Sequence, residues 1–360
     1  MSRKILIIST VGLSYDGTTS VLLSYLQSMN LKDLEIYVAV TIKCESNIIK
    51  QINELGCKII YLPSRKSKTL AYFFKLVSFI RKNKINVVHA HGNSGTLAIE
   101  MLAACLGGCK KRIAHSHSTR CDQIKADKLL RPLFYMTYTD ALACGYAAGK
   151  WLFGSRPFKI LKNGRDIEKY SFNNDKRVQI RNIYGLEDKL TIGHVGGFYK
   201  PKNHKFLCEI FHAIVKFRPN VKLFMIGDGP LKSEIELLCR DISENVIFTG
   251  NTDKVPDLLQ AMDGMILPSI FEGLPLVTIE WQINGLPCLL SDTISKECAL
   301  TTNVHFIGLS ESSDIWAKTI IKYVEMNDRI KASDEGIKEV KKSGFDLVEN
   351  AKELRMMYMA

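Results

Sequence analysis

The chain has 360 residues, of which 46% are hydrophobic and 24% charged, enough for two domains of ordinary size, each with its own core. No apolar run reaches the roughly 18 residues a membrane span needs, and the opening MSRKILIISTVGLSYDG meets Asp16 too soon for a secretion signal and reads as a first strand. Ten cysteines without a CxxC motif (Cys105 and Cys109 form only a CxxxC) argue against a disulfide frame or a cysteine zinc site and fit reduced thiols in a cytoplasm.

The charge is unevenly divided. Residues 1–160 carry 23 Lys+Arg against 9 Asp+Glu, a net of +14, whereas the remainder carries 26 against 28, a net of −2. A basic half of this kind points to an anionic substrate, a polyanion or an acidic membrane surface. No recognised DNA- or RNA-binding module accompanies it, so nucleic acid is not the expected partner.

In chain order, KILIIST (4–10), EIYVAVT (35–41), KIIYLP (58–63), INVVHAH (85–91) and KRIAHSH (111–117) read as buried strands, with helical segments such as TTSVLLSYLQSM (18–29) between them. RKSKTLAYFFKLVSFIRKNK (65–84) places Leu70, Phe73, Phe74 and Val77 on one helical face, expected to pack on a sheet. Tyr72, Leu76 and Phe79 form a second face among basic residues, read either as more buried surface or as a strip that dips into an anionic membrane. TRCDQIKADKLLRPLFYMTY (119–138) adds basic and aromatic residues to the same half. After the Asn-Gly turn of LKNGRDIEKY (161–170), the alternation restarts with LTIGHVGGF (190–198), KLFMIGDG (222–229), NVIFTG (245–250), GMILPS (264–269) and PCLLSD (287–292). The expected fold is therefore α/β, with two Rossmann-like, doubly wound domains at 1–164 and 165–343. An amphipathic last helix, 344–360, is expected to pack back on the first domain.

Ligands of open parallel sheets bind beyond the carboxyl ends of the strands. FEGLPLVTIEWQINGLP (271–287) follows one such strand and holds Glu272 and Glu280 on either side of a Gly-Leu-Pro turn. Pro275 suits a first helical position, Gly273 permits close backbone approach, and the helix start behind Leu274 offers N–H groups to phosphate. Glu280, about 7.5 Å along the helix, is placed for hydroxyls beside a phosphate, such as a ribose, and Glu272 for sugar hydroxyls. Phosphate between two hydroxyl-binding acids describes a nucleotide sugar. Lys202 follows the Gly196-Gly197 turn and is suited to neutralise a diphosphate leaving group. Gly227 in IGDGP allows close backbone passage, and Asn251 beside Gly250 marks a turn where a base is read by backbone groups.

In the first half, His89, His91, His115 and His117 form two HxH pairs at strand ends. HxH can bind a metal, but neither pair has an acidic neighbour and the chain has no D-x-D, so no metal is expected. The loop STVGLSYDGTTS (9–20) ends in Gly17-Thr18 and opens a helix.

EGLPLVTIE, with VHAHG, RIAHSHST, KNGRD, KPKNH and GDGPLK, resembles the E-x7-E retaining glycosyltransferases of family 4, of GT-B fold, and among them the bacterial members that build capsular or exopolysaccharides. The resemblance implies two Rossmann-like domains facing a cleft and a nucleotide sugar, commonly UDP-linked, held by the second. It also implies sugar transfer with retention to a saccharide or lipid-linked saccharide, without a metal cofactor. By it, Glu272 contacts the donor sugar, Glu280 the ribose and Lys202 the diphosphate. A histidine near the donor sugar is His117 first and His115 second, and Gly17 belongs to the glycine loop. The family usually has two glycines in that loop where this chain has Asp16-Gly17, and Gly-Arg where it has Gly196-Gly197, with Lys200 the nearest alternative cation. The resulting picture is a metal-independent, hexosyltransferase-type enzyme of polysaccharide biosynthesis, cytoplasmic and peripheral on the inner face of the membrane. The alternatives are a nucleotide-sugar epimerase and a non-catalytic nucleotide-sugar-binding partner of a transferase.

Overall fold

The computed structural model describes residues 2–14, 17–42 and 44–360; Asp16 lies outside them. Two compact units are present, Met1–Gly164 with Asp346–Ala360, and Arg165–Phe345.

The first unit is built on a parallel sheet of β1 (Arg3–Ser9), β2 (Leu34–Val40), β3 (Lys58–Tyr61), β4 (Val87–His91), β5 (Lys111–Ser116), β6 (Asp140–Ala143) and β7 (Lys159–Ile160), in the order β3-β2-β1-β4-β5-β6-β7. All five residues of β4 are buried, as expected of a central strand covered on both faces. The second unit is also parallel: β8 (Leu190–Val195), β9 (Val221–Ile226), β10 (Val246–Gly250), β11 (Gly264–Leu267), β12 (Cys288–Ser291) and β13 (Val304–Ile307), in the order β10-β9-β8-β11-β12-β13. This is the expected α/β, doubly wound architecture in both units. In each sheet the strand order reverses beside its first strand, between β1 and β4 and between β8 and β11, where open α/β sheets bind ligands. Strands β6, β7 and β13 were not legible in the sequence: two to four residues long, they give no alternation to read.

The helix Thr69–Asn83 bears out the expected inward face only in part: Phe73 and Val77 are half-buried against the core, but the most buried residues lie on the second face. Tyr72, Leu76 and Ile80 are buried, whereas Leu70 is 75% and Phe74 66% exposed. The reason is polar. The Tyr72 hydroxyl donates to Glu100 Oε1 at 2.8 Å, and Glu100, itself fully buried, pairs with Arg65 Nε at 2.7 Å. A buried carboxylate needs both partners, and that requirement outweighs the wider apolar stripe on the opposite face.

The closing helix Leu347–Met359 lies on the first unit through Leu347, Ala351, Leu354 and Tyr358. Asp346 caps it by accepting from the Val348 and Glu349 N–H groups. Arg355 Nε donates to the Asn30 carbonyl at 2.8 Å, and Lys159 pairs with Glu353 at 2.6 Å.

In the second unit the helix Leu276–Ile283 packs against Arg329–Lys342 at Gly336, where an added Cβ would lie 1.9 Å from the Gln282 carbonyl oxygen. Such close contact leaves room for no side chain. Gly336→Ala is expected to destabilise the protein by about 1–3 kcal/mol or more, read as a lowered urea midpoint with an unchanged slope.

Candidate functional site

Three loops meet at the carboxyl ends of β8, β9 and β10. The Gly196 N–H donates to the Ile226 carbonyl at 3.0 Å, Phe198 to Asp228 at 3.0 Å, and Gly227 to Gly250 at 3.1 Å. Gly227 has φ +142, and a Cβ there would sit 2.2 Å from the Gly196 oxygen. Glycine is therefore required for backbone to lie on backbone. Asn251, exposed, follows directly on Gly250. A Cβ on Gly197 would lie 2.8 Å from the Tyr199 ring, so that ring stands beside the position where the resembling family carries arginine.

The turn after β8, Lys200–Lys202, is bound to the loop after β11. Ile270 N–H donates to the Pro201 carbonyl at 2.8 Å, and the Asn203 amide to the Pro268 carbonyl at 3.1 Å. This juxtaposition brings Lys202 Nζ to 2.6 Å from Glu272 Oε1, which also accepts from Ser269 Oγ at 2.9 Å. Gly196, Lys202, Glu272 and Gly273 are thus assembled within one loop cluster, and Gly273 opens onto unfilled space. Leu274 is half-buried and Pro275 buried. Pro275 is the residue before the first helical turn, with ψ 105, and the helix proper begins at Leu276. That corrects the expectation of Pro275 at the first helical position; the extended ψ lets the Pro275 carbonyl accept from Thr278 Oγ1 at 2.7 Å.

Glu280 is buried beneath this helix start, 2.8 Å from Arg165 Nε. Burial raises its pKa, while the Arg165 charge and then the Tyr170 hydroxyl act to keep it ionised. Sequence reasoning missed Arg165 and Tyr170 as members of the site. A lone arginine and tyrosine in the turn 161–170 carry no spacing that ties them to a helix more than a hundred residues later.

Residues 189–325 match the family model described as "Glycosyl transferases group 1". The Bacillus subtilis protein EpsF, which carries a glycosyltransferase name, is 32% identical over 328 residues, 86% of this chain and 84% of that one. The Escherichia coli UDP-Gal:alpha-D-GlcNAc-diphosphoundecaprenol alpha-1,3-galactosyltransferase is 27% identical over 265 residues, 69% of this chain and 68% of that one. A crystal structure of Anabaena HepE in complex with UDP matches with TM-score 0.79 over 98% of this chain and 99% of that one, at 17% identity. The chain belongs to the group 1 glycosyltransferases. It is an enzyme of that family with the two-domain α/β fold of its structural neighbours.

In the first unit of this glycosyltransferase the two HxH pairs form one stack, because the parallel register sets His91 beside His115. His89 Nδ1 lies 2.6 Å from the Tyr358 hydroxyl, His89 Nε2 3.2 Å from His115 Nδ1, and His91 Nδ1 2.8 Å from His117 Nε2. The His117 N–H donates to Asn93 Oδ1 at 2.8 Å. His115 is 1% exposed, whereas His117 is half-buried. Burial holds His89 near pKa 3 and holds His91 and His115 well below the usual range. Gly17, at the start of the helix Gly17–Ser28, opens onto unfilled space.

A second, unexpected pair of histidines lies under Lys202. His194 Nδ1 donates to the Ile266 carbonyl at 2.9 Å, and the His204 ring stacks on Phe198, centroids 4.2 Å apart. Burial, then the Lys202 charge, pushes His204 down to about 4. A neutral native histidine leaves the unfolded chain to bind more protons below its ordinary pKa of about 6.5. Stability is therefore lost as pH falls from that value toward 4. His204→Phe is expected to flatten the decline of the melting temperature between pH 7 and pH 5, by up to about 2 kcal/mol at pH 5. An unchanged slope would remove His204 from the account.

Proposed function

We propose that this glycosyltransferase moves a sugar from a UDP-linked donor to a saccharide or lipid-linked saccharide in surface polysaccharide synthesis, with retention of anomeric configuration. The observation that carries this reading is the loop cluster at the β8–β11 reversal. There a lysine ammonium 2.6 Å from Glu272 stands beside the open Gly273 backbone. Diphosphate binding exchanges the carboxylate on Lys202 for phosphate oxygens and frees Glu272 for sugar hydroxyls. The N–H groups at the start of helix Leu276–Ile283 add to the anion's stabilisation, and Glu280 accepts from the ribose. Gly196, Gly197 and Gly227 let the backbone approach the donor, and Asn251 borders the base. Leu274 and Pro275 shape the turn at the sugar. The bond from the anomeric carbon to the phosphate oxygen breaks, the acceptor hydroxyl oxygen bonds to that carbon on the same face, and its proton passes to the departing phosphate. We assign substrate contact in the first unit to Gly17 and to His117, the accessible member of its stack, with the buried His115 supporting it. No metal is assigned to the diphosphate. UDP as the nucleotide is supported by the UDP complex of HepE. The lipid-linked acceptor and surface polysaccharide role are supported by the name of the Escherichia coli relative and by the Staphylococcus aureus capsular polysaccharide glycosyltransferase CapH, 23% identical over 91% of both chains.

Calorimetric titration with UDP, GDP and ADP tests the site. UDP is expected to bind preferentially, and Glu280→Gln, which keeps the side chain's shape beside Arg165, to weaken it about tenfold. Lys202→Ala is expected to lower transfer by about 10²–10³ with a smaller loss of UDP affinity. A folded protein that binds no nucleotide would reject the reading.

Membrane association of the basic half is part of the same proposal, with the contact moved to the exposed Leu70 and Phe74 beside Lys66, Lys68 and Lys75. No helix among the described residues is long and apolar enough to cross a membrane. The protein is expected to sediment with vesicles containing anionic lipid and not with neutral ones, and Leu70→Glu with Phe74→Glu to abolish this. Equal sedimentation with both vesicle types would exclude the contact.

A further inference from the structure

The histidine stack of the first unit holds more buried nitrogen than its hydrogen bonds use. His89, His91 and His115 each offer a ring nitrogen, and the three nitrogens lie within 4.8 Å of one another. All three rings are buried, at 0%, 5% and 1% exposure. The same three side chains line one small cavity together with Leu22, Tyr25, Met29, Leu354 and Tyr358. Its volume is about 10 Å³, room for one water-sized particle. A sugar, a nucleotide or any organic cofactor is too large for it.

His115 Nε2 is buried without a partner, and it keeps the ring proton when Nδ1 is the atom offered to an ion. The geometry of the three rings is that of a ligand set. His89 Nε2 and His115 Nδ1 are 3.2 Å apart, close to the edge of a tetrahedron whose metal–nitrogen bonds are about 2.0–2.1 Å. The phenol on His89 Nδ1 is the outer partner that fixes the ring and leaves Nε2 as donor atom, the usual arrangement around a ligating imidazole.

We propose that His89, His91 and His115 form a binding site for one borderline divalent transition-metal ion of the zinc type, with a water molecule in the cavity as fourth ligand. Imidazoles without carboxylate or thiolate select this class over magnesium or calcium, which take oxygen ligands. The site lies in the first unit and shares His115, and through His91 also His117, with the substrate-contact assignment above; the metal titration tests it separately from UDP binding. It makes the closing helix, through Tyr358, an outer support of the metal.

Cobalt(II) is the probe. The whole chain, stripped with a chelator and dialysed, is titrated with Co²⁺ while visible absorption is recorded, and retained zinc is counted by elemental analysis after gel filtration. One ion per chain is expected, with intense bands of tetrahedral cobalt and no near-ultraviolet band from thiolate, which separates this site from the ten cysteines. His115→Ala is expected to lose the ion. Tyr358→Phe, which keeps the ring in the core, is expected to weaken binding about 10- to 100-fold with its circular dichroism unchanged. Absence of the bands together with no retained zinc would overturn the proposal and leave the cavity to a water molecule. So would cobalt spectra that are the same in His115→Ala as in the parent, or carry the thiolate band.

Discussion

A carboxylate taken out of water has to be held by something, and much of the second unit is arranged around one such group. Glu280 is buried in the middle of the helix Leu276–Ile283, opposite Arg165, which is equally buried. The helix around it is surrounded by protein, and apart from the buried Trp281 Nε1 the polar groups on and behind it find partners. The Asn284 amide donates to the Tyr170 carbonyl at 2.7 Å. Ser333 Oγ donates to the Ile283 carbonyl at 2.7 Å. Gln282 donates to the Cys298 carbonyl and accepts from the Leu300 and Thr301 N–H groups. Removing one partner of a buried pair costs about 3–5 kcal/mol, so the position of this helix, and with it the direction of its amino end, is rigidly set.

That rigidity matters for the loops in front of it. The Lys202–Glu272 pair is less buried than Arg165–Glu280, with 21% and 15% of its side chains exposed. It is held by backbone contacts between two loops rather than by a core. Fixed charges beside a fixed helix start need little reorganisation when a second charge arrives, which is the physical basis of electrostatic stabilisation in enzymes. The neutral histidines His194 and His204 beneath Lys202 add packing without adding charge, so the ammonium remains the dominant local cation.

The first unit solves a related problem with different chemistry. Its buried acid, Glu100, is answered by Arg65 and Tyr72, and this network decides which face of Thr69–Asn83 points inward. Its four histidines are answered mostly by one another, and by Tyr358 from the far end of the chain. The return of the closing helix therefore completes the polar interior of the first unit as well as covering apolar surface.

What the sequence by itself determined is the part governed by local rules. Apolar runs of four to seven residues bounded by turns located ten strands, and strand–helix alternation gave the parallel α/β class. The Glu-Gly-Leu-Pro turn marked the end of β11 as a candidate ligand site, and the glycines at 196 and 227 marked loops of close approach. The tertiary structure alone decided the pairings. Arg165 meets Glu280 and Lys202 meets Glu272 across long separations in sequence, which no local spacing records. The inward face of Thr69–Asn83 follows from a carboxylate on another helix, and the histidine stack from the register of β4 against β5 and a tyrosine near the end of the chain. A buried charge or ring nitrogen chooses its partner by proximity in the folded state, and that proximity exists only once the sheets have formed.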